Sequence, residues 1–248
     1  MHFDCHVHAM MFPDPAALLR KAAASGICMV VPSCTVDESE RALALKKSAS
    51  LPSFHPMCGI HPWHARMDLF EEERFARMAD LGIEGMGEIG LDQDQSPIPI
   101  AAQERLLERE IEFACQRDLP LSLHVRKAHG SLIRILKRFK GRLPGGVVHN
   151  FTFSREVARE YLALGLRLSV GAHILRGARR LVESLSLAGP ENVVLETDAD
   201  YEHSGEYDFT QLLRQEEAFA SIFNLTLSSA EQILENSARE IFKNGGGQ

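Results

Sequence analysis

The segment Asp4-Cys5-His6-Val7-His8 lies at the end of the first predicted strand and places two histidines two positions apart. Successive side chains of a β-strand point to opposite faces, so Asp4, His6 and His8 would project from the same face. The two imidazoles can hold one divalent cation, and Asp4 could accept the second ring proton of a liganding imidazole or orient the neighbouring backbone. The segment therefore predicts a metal site at the end of a first strand.

Four further polar clusters each end or follow an apolar run. They are Gly87-Glu88-Ile89-Gly90-Leu91-Asp92, Leu123-His124-Val125-Arg126, Val148-His149-Asn150-Phe151 and Leu195-Glu196-Thr197-Asp198. If the runs are parallel strands of one barrel, residues far apart in sequence meet at its C-terminal mouth. The sequence thus predicts that four imidazoles and two carboxylates converge on two divalent cations.

Short apolar runs alternate with amphipathic stretches, the pattern of repeated βα units. We predict strands at 2–6, 27–31, 54–59, 83–87, 120–124, 146–149, 167–170 and 193–196. We predict helices at 15–24, 38–48, 70–79, 102–116, 131–140, 155–164, 178–186, 212–223 and 229–242, the last one capped by Ser228. Eight units predict one α/β domain, a (β/α)8 TIM barrel over 1–244, with a flexible tail at 245–248 and a long loop at 93–100 over the mouth.

The composition fits a single folded domain. The chain has 248 residues, of which 45% are hydrophobic and 25% charged. Its five cysteines are an odd number without Cys-x-x-Cys spacing, so we expect them to be reduced. Neither a signal peptide nor an apolar run of about 18 residues is apparent, which predicts a soluble cytoplasmic protein without membrane contact.

The net charge of -7 argues against an extended basic surface for nucleic acid. Two bound divalent ions would still make the mouth locally positive, so weak and local phosphate recognition is the consistent expectation. Arg176, Arg179 and Arg180 are interpreted as a solvated helix face, although they could also steer a polyanion.

Glu88 is the predicted bridge between the two cations. We expect Gly87 and Gly90 to let the backbone turn tightly at the strand end. A carboxylate has two oxygens and can bridge ions about 3.5 to 4 Å apart. His124 and His149 end the next two strands, so with Glu88 they make a three-ligand set.

Asp198 ends the eighth predicted strand, which adjoins the first in a closed barrel. It can therefore bind the cation held by His6 and His8, and it can orient the attacking water and take its proton. Asp92 is expected to cap or orient the following loop and not to bind metal.

Four more residues are candidates for substrate binding. Arg126 lies two positions after His124 and could hold a phosphate oxygen, or instead pair with Glu196 or another carboxylate at the mouth. His61, Trp63 and His64 follow the third strand and could contact phosphate or stack on a base, while packing within the loop is the alternative for Trp63.

Taken together, these clusters resemble the TatD-type metal-dependent deoxyribonuclease family of amidohydrolase-like TIM barrels, from Asp4 to about Phe242. Gly59-Ile60-His61-Pro62 and Asn236-Ser237-Ala238-Arg239-Glu240-Ile241-Phe242 also look like family segments. The resemblance implies that one cation is bound by His6, His8, Glu88 and Asp198 and the other by Glu88, His124 and His149. It also implies hydrolysis of DNA, often from 3′ ends.

The chain departs from the family pattern at the mouth. Gln93 replaces the usual aromatic residue, Asn150 the usual Cys, and Phe153 the usual Gly, while Ala199-Asp200-Tyr201 replaces a small-Pro-Tyr run. Asp200 adds negative charge where a phosphate would approach. These changes touch substrate preference more than the predicted ligands.

Three functional hypotheses follow. The leading one is a deoxyribonuclease that cleaves weakly bound single-stranded DNA ends with two divalent ions (Mg, Mn or Zn), with Asp198 and Glu88 as catalytic residues. The second keeps the metals and hydrolyses a small amide, lactone or phosphoester; the lack of a lysine at the end of the fourth strand argues against it. The third is an adaptor that only binds, and the intact ligand sets argue against it. The sequence indicates no stable protein partner.

Overall fold

The computed structural model describes residues 1–48 and 54–242. The predicted tail at 245–248 lies outside the described residues. None of the helices in the described ranges is long and apolar enough to cross a membrane.

Eight short parallel strands form the centre of the molecule. They are β1 (His2–Asp4), β2 (Ile27–Val31), β3 (His55–Pro56), β4 (Met86–Asp92), β5 (Leu121–Arg126), β6 (Gly146–Val148), β7 (Arg167–Val170) and β8 (Val193–Leu195). Each pairs with its neighbour in sequence, in one sheet of β1 to β3 and one of β4 to β8. This order is the one that a (β/α)8 barrel requires.

Backbone hydrogen bonds cross both gaps between the two sheets. Next to β3, Cys58 forms a parallel bridge with Met86, the first residue of β4. Next to β1, Cys5 N donates to Leu195 O at 3.0 Å, and Val7 bridges to Ala199 beyond β8. The eight strands therefore follow one another around a barrel, as the sequence predicts.

Helices cover the outside of the barrel. They are α1 (Pro15–Ala24), α2 (Val36–Lys46), α3 (Glu72–Asp80), α4 (Ile100–Arg117), α5 (His129–Arg138), α6 (Arg155–Leu162), α7 (Arg179–Ala188), α8 (Tyr201–Ser204), α9 (Gln211–Phe223) and α10 (Leu227–Ile241). The short α8 was not predicted. The helices α2, α4, α5 and α10 each begin two residues before the predicted start.

Two helix starts show why the predicted boundaries were wrong. The Thr35 side chain accepts a hydrogen bond from Glu38 N at 3.2 Å and so starts α2. The Thr226 side chain accepts one from Ser229 N at 3.2 Å and starts α10, so Ser228 is not the cap. Threonine caps by the same hydroxyl geometry as serine, and the sequence offered both near the second start.

Strand β4 shows the largest difference from the prediction of 83–87. All seven of its residues are buried, and its pairing with β5 is regular only outside a shift between Met86 and Ile89. Met86 pairs with Leu121 and Ile89 with Leu123, so β4 has one residue more than β5 in this interval. This bulge contains Glu88, and bulges are known to re-aim side chains next to functional sites.

The glycines of β4 serve close strand packing and not a turn. A Cβ on Gly90, whose φ is +151°, would lie 1.9 Å from His124 O, and one on Gly87 would lie 2.6 Å from Ser122 Cβ. The expectation of a tight turn was therefore wrong, because the strand continues through both glycines to Asp92. Glycine lets β4 approach β5 at the level of the polar cluster.

Candidate metal centre

Glu88 lies at the centre of the barrel mouth with only 2% of its surface exposed. Its Oε2 is 3.4 Å from both His6 Nε2 and His8 Nε2, and these nitrogens are 3.3 Å apart. Asp198 Oδ1 is 3.6 Å from His8 Nε2. We call these four residues the first ligand set.

The spacing of the first ligand set fits a divalent cation. Four ligands at about 2.0–2.1 Å from a tetrahedral ion lie about 3.3 Å from one another. The spacings of 3.3 to 3.6 Å among these nitrogen and oxygen atoms agree with that value. His6, His8 and Glu88 therefore have donor types and mutual separations suited to one divalent cation, and Asp198 adjoins them at His8.

The other oxygen of Glu88 faces a second group of imidazoles. Glu88 Oε1 is 2.7 Å from His124 Nδ1 and 3.6 Å from His149 Nε2. We call Glu88, His124 and His149, which are predicted to hold the other cation, the second ligand set. His61 Nε2 lies 3.5 Å from the same oxygen, although His61 was predicted to bind substrate. Ligand atoms of His61, Glu88 and His124 all lie within 4.8 Å of one another, so His61 is a further candidate ligand.

The electrostatics of the cluster favour bound positive charge. Burial opposes ionisation of Glu88, yet the surrounding imidazoles, with His61 and His149 foremost, hold its pKa well below the usual range. Burial should lower the pKa of His149, but Glu196, Asp198 and Glu88 raise it to about 10. Carboxylates thus dominate the field at His149, whereas burial lowers the pKa of His6 and of His61 and so favours their neutral, metal-binding form.

Glu196 contacts the cluster, although the sequence did not indicate it as a site residue. It is fully buried, and its Oε1 lies 3.0 Å from His149 Nδ1. Ser169 Oγ donates to its other oxygen, and Asn150 N donates to Oε1 at 2.6 Å. A carboxylate on the far nitrogen of a liganding imidazole fixes its tautomer and orientation. Its position two residues before Asp198 indicated a shared strand face but not the side chain that it contacts.

Asp4 supports the backbone and not an imidazole. Its carboxylate accepts hydrogen bonds from Thr197 N at 2.8 Å, Thr197 Oγ1 at 2.6 Å and Tyr207 OH at 2.7 Å. Burial raises the pKa of Asp4 to about 7, against the effect of these bonds. His6 Nδ1 instead lies 3.1 Å from Ser122 Oγ. Of the two roles left open for Asp4, the structure supports backbone orientation, next to Asp198.

Asp198 lies where the polar cluster meets the open cleft. Its side chain is 31% exposed, and Asn150 Nδ2 donates to Oδ2 at 3.2 Å. The φ angles of Asp198 (+55°) and Asn150 (+46°) are left-handed, a region that Asp and Asn tolerate better than most residues. Burial opposes ionisation, but the neighbouring imidazoles, with His149 foremost, keep the pKa of Asp198 below its usual range.

Asp92 orients the following loop, as expected, and also contacts two side chains. Its Oδ1 accepts hydrogen bonds from Asp94 N at 2.8 Å and Gln95 N at 2.7 Å. Its Oδ2 accepts one from Trp63 Nε1 at 2.8 Å and lies 3.3 Å from His124 Nε2. Asp92 therefore fixes both an indole ring and a candidate ligand.

The remaining predicted substrate residues line one cleft above the cluster. The cleft has a volume of about 690 Å³, and its walls include His61, Trp63, His64 and Arg126. Arg126 Nε donates to Asp94 Oδ2 at 3.0 Å, so its partner is a carboxylate at the mouth but not Glu196. The Arg126 side chain remains 49% exposed and reaches the open space.

Comparison with known proteins identifies the family. Residues 3–243 match the family described as TatD related DNase. The chain is 30% identical over 195 residues to the 3′-5′ ssDNA/RNA exonuclease TatD of Cronobacter turicensis, covering 76% of this chain and 73% of that protein. It is 31% identical over 209 residues to the uncharacterized metal-dependent hydrolase YjjV of Escherichia coli, covering 79% and 78%. The crystal structure of that TatD homologue, YjjV, superposes with a TM-score of 0.80 and 25% identity over 97% of both chains. The chain therefore belongs to the TatD-related DNase family, and the predicted barrel is confirmed.

Proposed function

We propose that this protein hydrolyses phosphodiester bonds at single-stranded nucleic acid ends, using two divalent cations held at the barrel mouth. The observation that carries the proposal is Glu88, a buried carboxylate whose two oxygens face two different sets of ligand atoms. A family relative that bears the name of a 3′-5′ ssDNA/RNA exonuclease supports the substrate class.

We assign one cation to the first ligand set and one to the second, with Glu88 shared. Imidazole and carboxylate donors suit zinc and manganese, and magnesium is accepted by oxygen-rich sites. When bound, such ions supply positive charge to a phosphoryl group and lower the pKa of water.

Asp198 is the proposed general base. Its partial exposure lets a water approach, and its low pKa keeps it ionised at neutral pH. The hydrogen bond from Asn150 to Oδ2 holds the carboxylate in one orientation. Asp198 can therefore orient the attacking water and accept its proton.

Arg126 and Trp63 are the proposed substrate contacts. The exposed guanidinium of Arg126 can bind a phosphate oxygen next to the second ligand set. The Trp63 ring is 41% exposed and is held in place through Asp92, so it offers a fixed face on which a base can stack.

The test is cleavage of end-labelled single-stranded DNA by pure protein that has been stripped of metal and reloaded with Mn²⁺, Mg²⁺ or Zn²⁺. We expect cleavage that requires metal and is lost in Asp198→Asn and Glu88→Gln. Glu110→Gln is the matched control, because Glu110 is as buried as Glu88 but, among the described residues, its carboxyl accepts a hydrogen bond from Ile60 N alone, at 2.9 Å. Cleavage that survives a chelator or both site variants would contradict the proposal. Hydrolysis of small amides or lactones with intact oligonucleotides would favour the small-molecule alternative.

A further inference from the structure

We infer that the cleft recognises only the terminal few nucleotides of its substrate, so that oligonucleotides of about three residues are cleaved as efficiently as long strands. The inference rests on the proposed function and defines its substrate more narrowly. It follows from the size of the cleft, the charges on its walls and the aromatic surface that it offers.

The cleft is small for a polynucleotide. Its volume of about 690 Å³ lies within the range of about 300 to 1,000 Å³ that is typical of pockets for small ligands. The polar cluster occupies its floor, so the scissile phosphate must enter this pocket. The remaining space accommodates the nucleotides on either side of that phosphate and little more.

Basic side chains are scarce on the cleft walls. Among the described residues that line the cleft, Arg126 is the only arginine or lysine. Asp94, which pairs with Arg126, also bonds the neighbouring Lys127. Two basic side chains therefore share one carboxylate, which leaves a net charge of about +1. Apart from the second ligand set, Arg126, Lys127 and Asp94 together provide the equivalent of one phosphate contact.

Acidic residues lie on other parts of the wall. Glu38, Asp200 and Glu202 all line the cleft, and Glu202 is exposed. Asp200 accepts a hydrogen bond from His203 N at 2.7 Å, and its Oδ2 lies 2.9 Å from His203 Nδ1. A strand that continued past this wall would bring its phosphates toward carboxylates, which gives no gain in affinity.

The arginines after β7 do not supply a path for the strand. Arg176, Arg179 and Arg180 are all exposed, and none is among the residues that line the cleft. Arg179 pairs with Glu183 at 2.7 Å and is 92% exposed. They agree with the interpretation of a solvated helix face.

Aromatic contacts are equally local. Trp63 and Phe153 line the cleft, and the Phe153 ring is packed against His129 at 3.7 Å between centroids. Each ring can contact about one base. Base contacts therefore also end within two or three nucleotides.

Counterion release predicts how strongly binding in this cleft depends on the salt concentration. For single strands, the slope of log affinity against log salt is about -0.7 per neutralised phosphate. One or two contacts at the mouth predict a slope of about -1, whereas a strand bound along a basic groove with six contacts would give about -4.

The experiment measures kcat/KM on oligothymidylates of 2, 3, 4, 8 and 20 nucleotides at about 50 and 200 mM salt, with saturating Mn²⁺. Phosphorothioate oligonucleotides of the same lengths, used as competitive inhibitors, give binding separately from turnover. We expect kcat/KM and inhibition constants per strand end to change less than about threefold from 3 to 20 nucleotides, with a salt slope of about -1. A rise of tenfold or more over this range, or a slope steeper than about -3, would overturn the inference.

Two variants test the role of charge on the wall. Glu202→Lys should make the salt slope steeper by about 0.7 and favour the longer strands, because it adds one phosphate contact. Glu202→Gln is the control that removes the acid without adding a cation. Unchanged length dependence in Glu202→Lys would contradict the inference. Absence of metal-dependent cleavage at every length would instead contradict the proposed function itself.

Discussion

The two ligand sets that share Glu88 differ in how closely they already match a bound cation. In the first set, neighbouring donor atoms lie 3.3 to 3.6 Å apart, near the spacing around a tetrahedral ion. In the second, Glu88 Oε1 and His124 Nδ1 are only 2.7 Å apart and form a hydrogen bond. An ion in the second set must replace this bond, so we expect it to bind more weakly than the ion in the first set.

The two sets also differ in the group next to the ring nitrogen of each imidazole that does not face the predicted cation. His124 Nε2 lies 3.3 Å from Asp92 and His149 Nδ1 lies 3.0 Å from Glu196, so each imidazole of the second set has a carboxylate next to its other ring nitrogen. Among the described residues, the partner of His6 Nδ1 is the Ser122 hydroxyl. The spacing of the donor atoms favours tighter metal binding in the first set, whereas the carboxylates next to the imidazoles of the second set favour tighter binding there. Metal titration shows which effect is larger.

The largest effect is expected from Glu88→Gln, because this residue belongs to both sets. The amide loses the negative charge that balances two cations. We predict a loss of about 10³-fold or more in kcat and weaker binding of both ions, measured by calorimetric titration with Mn²⁺. If Glu88→Gln weakened only one binding event, Glu88 would not be shared.

Single substitutions in the two sets should separate the ions. His8→Asn should abolish the tighter binding event, whereas His124→Asn should leave it and remove the weaker one. Each should reduce activity by more than about 100-fold, since outer-shell partners alone cost about 10- to 100-fold. Metal content after dialysis provides the measurement. If His124→Asn removed the tighter binding event and His8→Asn the weaker one, the second set would bind its ion more tightly than the first.

Glu196→Gln should have an intermediate effect. Gln keeps an oxygen near His149 Nδ1 but loses the charge that orients and polarises the ring. We predict metal affinity about 10- to 100-fold weaker in the second set, with the first set changed much less. Ser169→Ala, which removes a hydrogen-bond donor to Glu196 and leaves its charge, is the matched control and should change affinity less. Equal weakening of both ions would mean that Glu196 supports the whole cluster.

The smallest effect is expected from Glu110→Gln, which lies outside both sets. Burial raises the pKa of Glu110 well above its usual value of 4.5 in the folded protein. The folded state therefore keeps a proton that the unfolded state releases, so stability falls as pH rises above about 4.5. The variant should lose this part of the pH dependence, measured by urea unfolding between pH 5 and 8, with both metal affinities unchanged. A steeper fall in stability with pH in the variant would show that the sign is wrong.

The convergence of the candidate ligands could be predicted because a parallel barrel brings the ends of its strands together. The pattern of apolar runs located the ends of seven of the eight strands near the cluster. The metal-binding chemistry of His, Glu and Asp then indicated the candidate ligands at those ends. The contacts of Glu196 and His61 could not be predicted. They depend on rotamers and distances across 46 residues in one case and 27 in the other, which no local pattern reports.

The boundaries of β4 were missed for a different reason. A barrel strand packs against side chains on its inner face and helices on its outer face, so all seven residues of β4 are buried and no alternation marks its register. Gly87 and Gly90 were visible, but a glycine that permits close strand packing looks the same in sequence as a glycine in a turn.

The extra residue in β4 has a consequence for comparing this barrel with distant relatives. Because β4 has one residue more than β5 between Met86 and Ile89, an alignment that ignores the shift misplaces Glu88 by one position, while the pattern of buried residues barely changes. An alignment based on hydropathy therefore does not reveal a one-residue error at Glu88, the residue shared by the two ligand sets. Aligning such sequences on the Gly-Glu pair is the safer guide to whether a relative has kept its chemistry.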